Sequence, residues 1–565
     1  MNQSLPTKKH LLAVLLEDYF HVGAFDQLIQ REQWSRFEAR FEHNTISALD
    51  LLDRFSAKVT FFSLGWIAER KPDLIREIVR RGHEVACYST LDLSQVSREQ
   101  FREEIRRAKD SLENAAQTKV LGFRSAQRWQ MDKADWALEI LAQEGFAYDT
   151  SIVPTGGDLS TNPAHRFTHE MEFGQNKLWE FPVPTWKMLG STIPLAGGNF
   201  FRQFPHTLIK QSVQSWHESY QAPFVMYFHV WELDRSQPRI NSATSLNKIR
   251  HYRNLGKMYW VIEDYLKKYN FTPFAEHLKL NTELASDFAF TKPIARPSIK
   301  INLANPPKTP VSIVIPCFNE ELSLPYLANT LQSVEESLAD KYSPQFIFVD
   351  DCSTDQTWDV LHKHFGEQPN FSLVKHPKNR GVAAAIMTGI RAAKTEIVCS
   401  MDCDCTYDPH ELKNMIPFLK EDVALVTASP YHSEGKVLNV PAWRLTLSKG
   451  SSFLYRQVLQ QKLATYTSCF RVYRRSEVES LQLDEDGFLG VAELLGRLDL
   501  RGAKVVEFPA TLAVRLFGYS KMKLAKTIFG HLKLLAKLLR MRLLKRDDLN
   551  NKSAQKLTIP DVTIK

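Results

Sequence analysis

Between Val311 and Pro409 the chain carries Val-Ile-Pro-Cys-Phe-Asn-Glu (314–320), Val-Asp-Asp-Cys-Ser-Thr-Asp (349–355), Asn-Arg-Gly-Val-Ala-Ala-Ala (379–385) and Met-Asp-Cys-Asp-Cys (401–405). Each piece lies where an apolar β-type run ends, so its polar residues are expected along one edge of a parallel sheet. In open α/β sheets that carboxyl edge is where ligands bind.

Working outward, a βα rhythm extends from Val311 to about Leu516, and a second one runs from Leu11 to about residue 280, as in α/β domains. Between them residues 282–310 are proline-rich and lack periodicity, which marks a linker. The expected division is 1–281, the linker, a domain over 311–530 and a basic amphipathic tail over 531–565. A chain of 565 residues is too long for one core. Its 44% hydrophobic and 24% charged content is ordinary for globular protein, and a formal charge of +8 is mildly basic. Cys87, Cys317, Cys352, Cys399, Cys403, Cys405 and Cys469 form an odd set without CxxC spacing. That argues against a disulfide framework or zinc knuckle and suits a reducing compartment. The N-terminus does not read as a signal peptide, and no apolar run reaches the roughly 18 residues of a spanning helix. A cytoplasmic protein is expected.

Asp402 and Asp404 flank Cys403, and alternation along an extended segment points both carboxylates the same way. Two hard oxygen donors on one side suit Mg²⁺ or Mn²⁺ bridging the diphosphate of a nucleotide donor; the alternative is a solvated turn. Asp350 and Asp351 follow the run Phe346–Val349, and acids at a strand end commonly contact a base or ribose. Pro316 and Glu320 end the first strand in the same way. Asn379–Gly381 makes a small-residue turn before a helix, completing the set of nucleotide-sugar candidates.

Together these residues resemble glycosyltransferase family 2, whose fold is GT-A, over residues 311 to about 530. The resemblance implies that Pro316, Glu320, Asp350 and Asp351 hold the nucleotide and that Asp402 and Asp404 hold the metal. Phe-Arg-Val-Tyr-Arg-Arg (470–475), Gly-Phe-Leu-Gly-Val-Ala-Glu-Leu-Leu (487–495) and Arg-Leu-Phe-Gly-Tyr-Ser-Lys-Met-Lys (515–523) are similar to the dolichol-phosphate mannosyltransferase-like group. There the acceptor is a polyprenyl phosphate, which implies that Arg515, Ser520 and Lys521 contact phosphate oxygens. A phosphate acceptor is already anionic near pH 7 and needs positioning more than a base, whereas a saccharide hydroxyl needs deprotonation. Glu493 reads either as such a base or as a helix residue paired with Arg497 at i+4. Thr406 stands where this group often has glutamine, so metal geometry or donor choice differs from the pattern there.

The basic segment beyond Gly518 reads as a helix for a membrane surface, placing the protein peripherally on the inner membrane face; a plain packed helix is the alternative. No aromatic-interleaved basic surface points to nucleic acid.

The front half resembles the polysaccharide deacetylase family through Glu17-Asp18-Tyr19-Phe20, Thr60–Trp66, Gly82–Ala86, Gly122-Phe123-Arg124, Ala196-Gly197-Gly198 and Phe228-His229. The resemblance implies a distorted (β/α) barrel. It also implies a metal on one aspartate and two histidines, with another aspartate as base. Here Leu15 replaces that base, and Tyr88 and Asp92 replace the histidines. Asp18, Arg124 and His229 remain. Leucine accepts no proton, and tyrosine ligates poorly unless ionised against a pKa near 10. The expected architecture is α/β throughout: a degenerate deacetylase barrel followed by a Rossmann-like nucleotide-sugar domain. The leading function is sugar transfer to a polyprenyl phosphate, the alternatives a bifunctional deacetylase and glycosyltransferase or a non-catalytic carbohydrate-binding scaffold.

Overall fold

A computed structural model describes residues 8–154, 156–188, 191–194, 197–283, 308–518 and 524–555. They form two compact units, one within 8–283 and one chiefly within 308–555 that also takes in Ser35–Glu38 and Arg239–Ser242. Most of the expected linker lies outside the described residues.

The first unit is built on a nine-stranded sheet: β1 (Lys9–Leu16), β2 (Thr60–Leu64), β3 (Glu84–Ser89), β4 (Gly122–Ser125), β5 (Tyr148–Asp149), β6 (His169–Phe173), β7 (Asn176–Glu180), β10 (Val225–His229) and β11 (Asn270–Thr272). β8 (Thr185–Met188) and β9 (Ser191–Pro194) form a separate hairpin. The order is β10-β1-β2-β3-β4-β5-β7-β6, with β11 also on β1. All its pairings are parallel except β6 with β7. The sheet is therefore a half-barrel, open between β10 and β6 among the described residues. Its central strands are apolar on both faces, as strands covered on both sides must be: Leu11–Leu16 are all buried.

The second unit holds β12 (Thr309–Cys317), β13 (Tyr342–Asp350), β14 (Phe371–Lys375), β15 (Ile397–Ser400), β16 (Val423–Ser429), β18 (Arg471–Arg474) and β19 (Lys504–Pro509) in the order β14-β13-β12-β15-β18-β16-β19. β17 (Lys436–Leu438) pairs separately with β20 (Thr511–Ala513). β12 begins at Thr309, two residues before the expected start. From β12 the chain winds outward to β13 and β14, then returns to place β15 on the other side of β12. That reversal is a topological switch point. β18 is the antiparallel strand, bonded to β15 and β16.

Two cores sit on the two faces of this sheet. One gathers Leu324, Leu327, Leu331, Val334 and Leu338 from the helix Leu324–Leu338 against Ile313, Ile315 and Phe348; their i, i+3, i+4 spacing makes a single apolar stripe. The other packs the alanine-rich helix Val382–Ala392 on Val314 and Val349, and also holds Leu534, Leu535 and Leu538 of the long helix Leu524–Gln555. The basic tail therefore starts seven residues earlier than the expected boundary at 531, and it contributes to the core. One stripe of it is packed, as in the packed-helix reading, while Phe529 and Leu532 on other turns are exposed.

Gly389 sets how closely Val382–Ala392 lies on the sheet, since a Cβ there would come 2.2 Å from Val314 Cγ1. Valine is stiff at χ1 and has nowhere to turn. Gly389→Val should cost about 2–3 kcal/mol by overpacking, read as a lower urea midpoint; an unchanged midpoint would show that the helix lifts from β12 freely.

Candidate active site

The switch point assembles the site. β12 and β15 run in parallel register, Val314 opposite Ser400, and the Met401 N–H donates to Val314 O beyond the last paired residue. The loops that follow leave the sheet through left-handed residues: Asn319 (φ 54°), Cys352 (φ 61°) and Cys405 (φ 54°). Asparagine tolerates this conformation; for cysteine it costs on the order of 1–2 kcal/mol. Such strain concentrates where loops are shaped for a ligand.

At this edge Glu320, Asp402 and Asp404 surround one cation. Asp404 Oδ1 accepts the Thr406 N–H at 3.0 Å and Oδ2 accepts Arg515 Nε at 2.5 Å. Arg515 Nη1 lies 3.1 Å from Glu320 Oε1, while Glu320 Oε2 accepts the Ser323 hydroxyl. Burial, and then the charge of Asp404, push the Asp402 carboxyl up to about 7 against the pull of Arg515. Asp402 and Asp404 crowd one another in a buried wall, which disfavours two adjacent negative charges, and the donors are hard oxygens. Asp402 and Asp404 therefore fit a divalent cation such as Mg²⁺ or Mn²⁺. Among the described residues no three carboxylate, imidazole or thiol side chains converge as a ready-made ligand set.

The neighbouring acids do different work. Asp351 is a staple for the turn before Val382–Ala392: its Oδ1 accepts the Arg380 N–H at 2.9 Å, its Oδ2 the Gly381 N–H at 2.6 Å, and its carbonyl the Asn379 amide. His376 Nδ1 lies 2.7 Å from the same Oδ1. Gly381 is required here, because at φ 107° a Cβ would come 2.7 Å from the Asp486 carbonyl oxygen. Asp350 accepts the Ser353 N–H at Oδ1, and its buried Oδ2 has no hydrogen-bond partner.

A cavity of about 1290 Å³ opens along this edge. Pro316, Glu320, Asp402, Asp404 and Arg515 line it, with Asp351, Asn379 and Gly381. Sequence reasoning missed the apolar part of the lining, to which Trp443, Phe453, Leu454, Phe488, Ile528 and Leu532 contribute a gallery of large side chains. Phe453 is 61% exposed and Trp443 50%. No sequence signal distinguishes these residues from the buried stripe of an amphipathic helix.

Two expectations need correction. Asp350 does not reach the cavity wall: it ends β13 fully buried, its side chain turned into the 350–353 turn. Glu493 is not a free base. Its Oε2 accepts the Asp484 and Glu485 N–H groups, and its Oε1 accepts Arg497 Nε and Nη2 and Lys537 Nζ. The Arg497 reading is the one the structure has. Ser520 and Lys521 lie outside the described residues.

In the first unit the retained residues all have local partners. Asp18 is buried and accepts the Arg40 and Phe41 N–H groups at the start of the helix Phe41–Asp53, and burial pushes it up to about 7 despite those bonds. His229 Nδ1 lies 2.6 Å from Glu17 Oε1, which also accepts the Trp231 indole. Arg124 donates to Thr150 and lies over the Tyr227 ring. Leu15 packs between His229 and Phe62 in the ladder. Burial holds the Tyr88 hydroxyl well above its ordinary value, so it remains protonated. Asp92 caps its own turn at Ser94. His83 accepts the Val59 N–H, and His21 that of Asp18, so both are structural.

Comparison with known proteins matches residues 312–481 to the model for glycosyl transferase family 2, residues 29–145 to that for polysaccharide deacetylase, and residues 150–279 to a domain of unknown function, DUF3473. A dolichol-phosphate mannosyltransferase of Pyrococcus furiosus is 29% identical over 232 residues, 41% of this chain and 64% of the relative, so less than two thirds of that protein's length is spanned. A polyprenol monophosphomannose synthase of Mycolicibacterium smegmatis is 30% identical over 220 residues, 37% of this chain and 80% of the relative. Among solved structures, glucosyl-3-phosphoglycerate synthase from Mycobacterium tuberculosis, in complex with Mn²⁺, UDP and glucosyl-3-phosphoglycerate, aligns with 41% of this chain and 80% of its own at 20% identity and TM-score 0.32.

The Glu493 cluster makes a stability prediction. Burial raises its carboxyl, but the bonds from Lys537, Arg497 and the Glu485 N–H outweigh this and hold it below the ordinary range. Glu493→Gln should cost about 2–3 kcal/mol at pH 7. The carboxylate's contribution is complete above about pH 4.3 and is lost as pH falls through the depressed folded-state value. The gap in melting temperature between wild type and variant should therefore narrow below about pH 4. A gap independent of pH would show that the charge contributes nothing.

Proposed function

This chain belongs to glycosyltransferase family 2, with a deacetylase-like domain ahead of the transferase, and we propose that it transfers a sugar from a nucleotide diphosphate donor to a polyprenyl phosphate. The carrying observation is a single cavity lined both by carboxylates with an arginine and by an apolar gallery. A volume of about 1290 Å³ exceeds the few hundred to one thousand cubic ångströms typical of a single ligand. It has room for a donor and the head of an amphiphile, with an anionic group at the charged lining and hydrocarbon along the gallery. The relatives named for dolichol-phosphate and polyprenol substrates support the same acceptor class.

In this reading Asp402 and Asp404 hold Mg²⁺ or Mn²⁺ with the donor's diphosphate, which neutralises charge on the leaving group. The turn stapled by Asp351 presents Asn379 and Gly381 at the wall beside the donor. Arg515, with Ser520 and Lys521, holds the acceptor phosphate. An oxygen of that phosphate attacks the anomeric carbon opposite the departing diphosphate, inverting it. No base is required because the attacking oxygen is already anionic, which agrees with a Glu493 whose oxygens are both engaged.

Exposed Phe453, Phe529 and Trp443, with lysines and arginines on the same helices, suit a membrane surface on the cytoplasmic side. Among the described residues no helix is long and apolar enough to cross a membrane. The front domain in this reading has no deacetylase chemistry, since Leu15, Tyr88 and Asp92 stand at the base and ligand positions; it serves docking or carbohydrate binding.

Radiolabelled sugar supplied from a panel of nucleotide sugars, with Mn²⁺ and a polyprenyl-phosphate extract, should enter the lipid phase with wild type and fall at least about 100-fold with Asp404→Ala. Full activity in that variant would remove the metal assignment, and label in a soluble saccharide would move the acceptor to a hydroxyl. Acetate release from an N-acetylated saccharide would establish the bifunctional alternative. Phe453→Asp with Phe529→Asp should reduce flotation with anionic phospholipid vesicles while leaving the circular dichroism spectrum intact; undiminished flotation would place the membrane contact elsewhere.

A further inference from the structure

Arg515 occupies an unexpected position for a residue reserved for an acceptor phosphate. Its guanidinium spans two acids from different loops, Nε on Asp404 at 2.5 Å and Nη1 on Glu320 at 3.1 Å. A planar fork satisfies two carboxylates in this way, where an ammonium acts as one point charge. The backbone that carries it is tied to the aspartate turn itself. The Ala513 N–H donates to Thr406 O at 2.8 Å, and Leu512 bridges Tyr407. Arg515 follows two residues later, so its Cα is held. Among the described residues a Cβ at Gly518 would meet only Arg515 Nη1, at 3.5 Å.

We propose that Arg515 is the resident counter-ion of the Glu320, Asp402 and Asp404 cluster, and that the donor's divalent cation displaces its guanidinium, freeing it to face the acceptor phosphate. This rests on the reading that Asp402 and Asp404 hold that cation. One cluster of acids cannot give its full attraction to both cations at once. The arginine and the metal therefore compete for Asp404, and loading the donor side makes the acceptor side more electropositive. The site is charged in sequence: an arginine-neutralised resting state, then a metal-neutralised one with the guanidinium released. Arg515 is in this respect a positioning residue whose contribution depends on leaving its resting partners.

The test is Mn²⁺ binding to the full chain without nucleotide or acceptor, followed by the electron paramagnetic resonance signal of free Mn²⁺. Arg515→Gln should bind Mn²⁺ about tenfold more tightly than wild type, because the competing charge is gone. Arg515→Lys, which keeps the charge but cannot span both acids, should fall between them and serves as the second variant should the glutamine protein not fold. Asp404→Asn should lose binding. Equal or weaker affinity in Arg515→Gln and Arg515→Lys, with Asp404→Asn still defective, would overturn the counter-ion role while leaving the metal site standing. Binding unaffected by Asp404→Asn, or no binding in any protein, would overturn the metal reading and the inference with it.

Discussion

The parallel register between β12 and β15 governs the rest of the transferase unit. Val314 pairs with Ser400, and the Met401 N–H carries the ladder one residue further. Continued past the sheet, that register sets Pro316 against Asp402 and Cys317 against Cys403, and the two cysteine sulfurs are indeed 3.7 Å apart. The aspartate turn is thus placed by backbone pairing in the core, not by its own loop. A one-residue slip would carry both carboxylates to the opposite face. What prevents the slip is that β12 is buried on both sides, packed by helix Leu324–Leu338 on one face and Val382–Ala392 on the other.

On this frame the acids divide by the kind of partner they keep. Asp351, Glu493, Asp499 and Glu507 each accept two backbone N–H groups from one loop: Arg380 and Gly381, Asp484 and Glu485, Gln460 and Gln461, Ala464 and Thr465. Each replaces the water those N–H groups would otherwise need and so holds its loop. Glu320, Asp402 and Asp404 instead crowd one another beside a single arginine, and burial with the charge of Asp404 pushes the Asp402 carboxyl up to about 7. Like charges gathered in a wall lined for ligands indicate function better than an acidic residue alone does.

That division explains which parts of the site were legible from sequence. The βα rhythm and the polar ends of apolar runs located the sheet edge, because strand ends follow from hydrophobic patterning. Asp402 and Asp404 were located by the end of the apolar run before them, but they sit in a turn closed by the Cys405 N–H on Asp402 O and not in the extended alternation expected. Asp350 and Asp351 looked equivalent in the sequence, yet one caps a buried turn and the other staples the Asn379–Gly381 loop. Glu493 needed knowledge of Lys537, 44 residues away on another helix. The antiparallel β18 between β15 and β16 was hidden for a similar reason, since strand order is a long-range property. The apolar gallery was hidden because Phe453 and Phe488 have the spacing of ordinary core residues.

In the deacetylase-like unit Asp18, Arg124 and His229 are each tied into the fold by hydrogen bonds. Asp18 accepts the N–H groups of Arg40 and of Phe41, the N-cap and first residue of the helix Phe41–Asp53, where free donors must be satisfied. Arg124 ties β4 to Thr150 just beyond β5, and His229 joins Glu17 at the end of β1 with Trp231. Removing any of them would leave a buried polar group without its partner, at a cost of about 1–3 kcal/mol. Leu15, by contrast, is buried between His229 and Phe62 in the ladder.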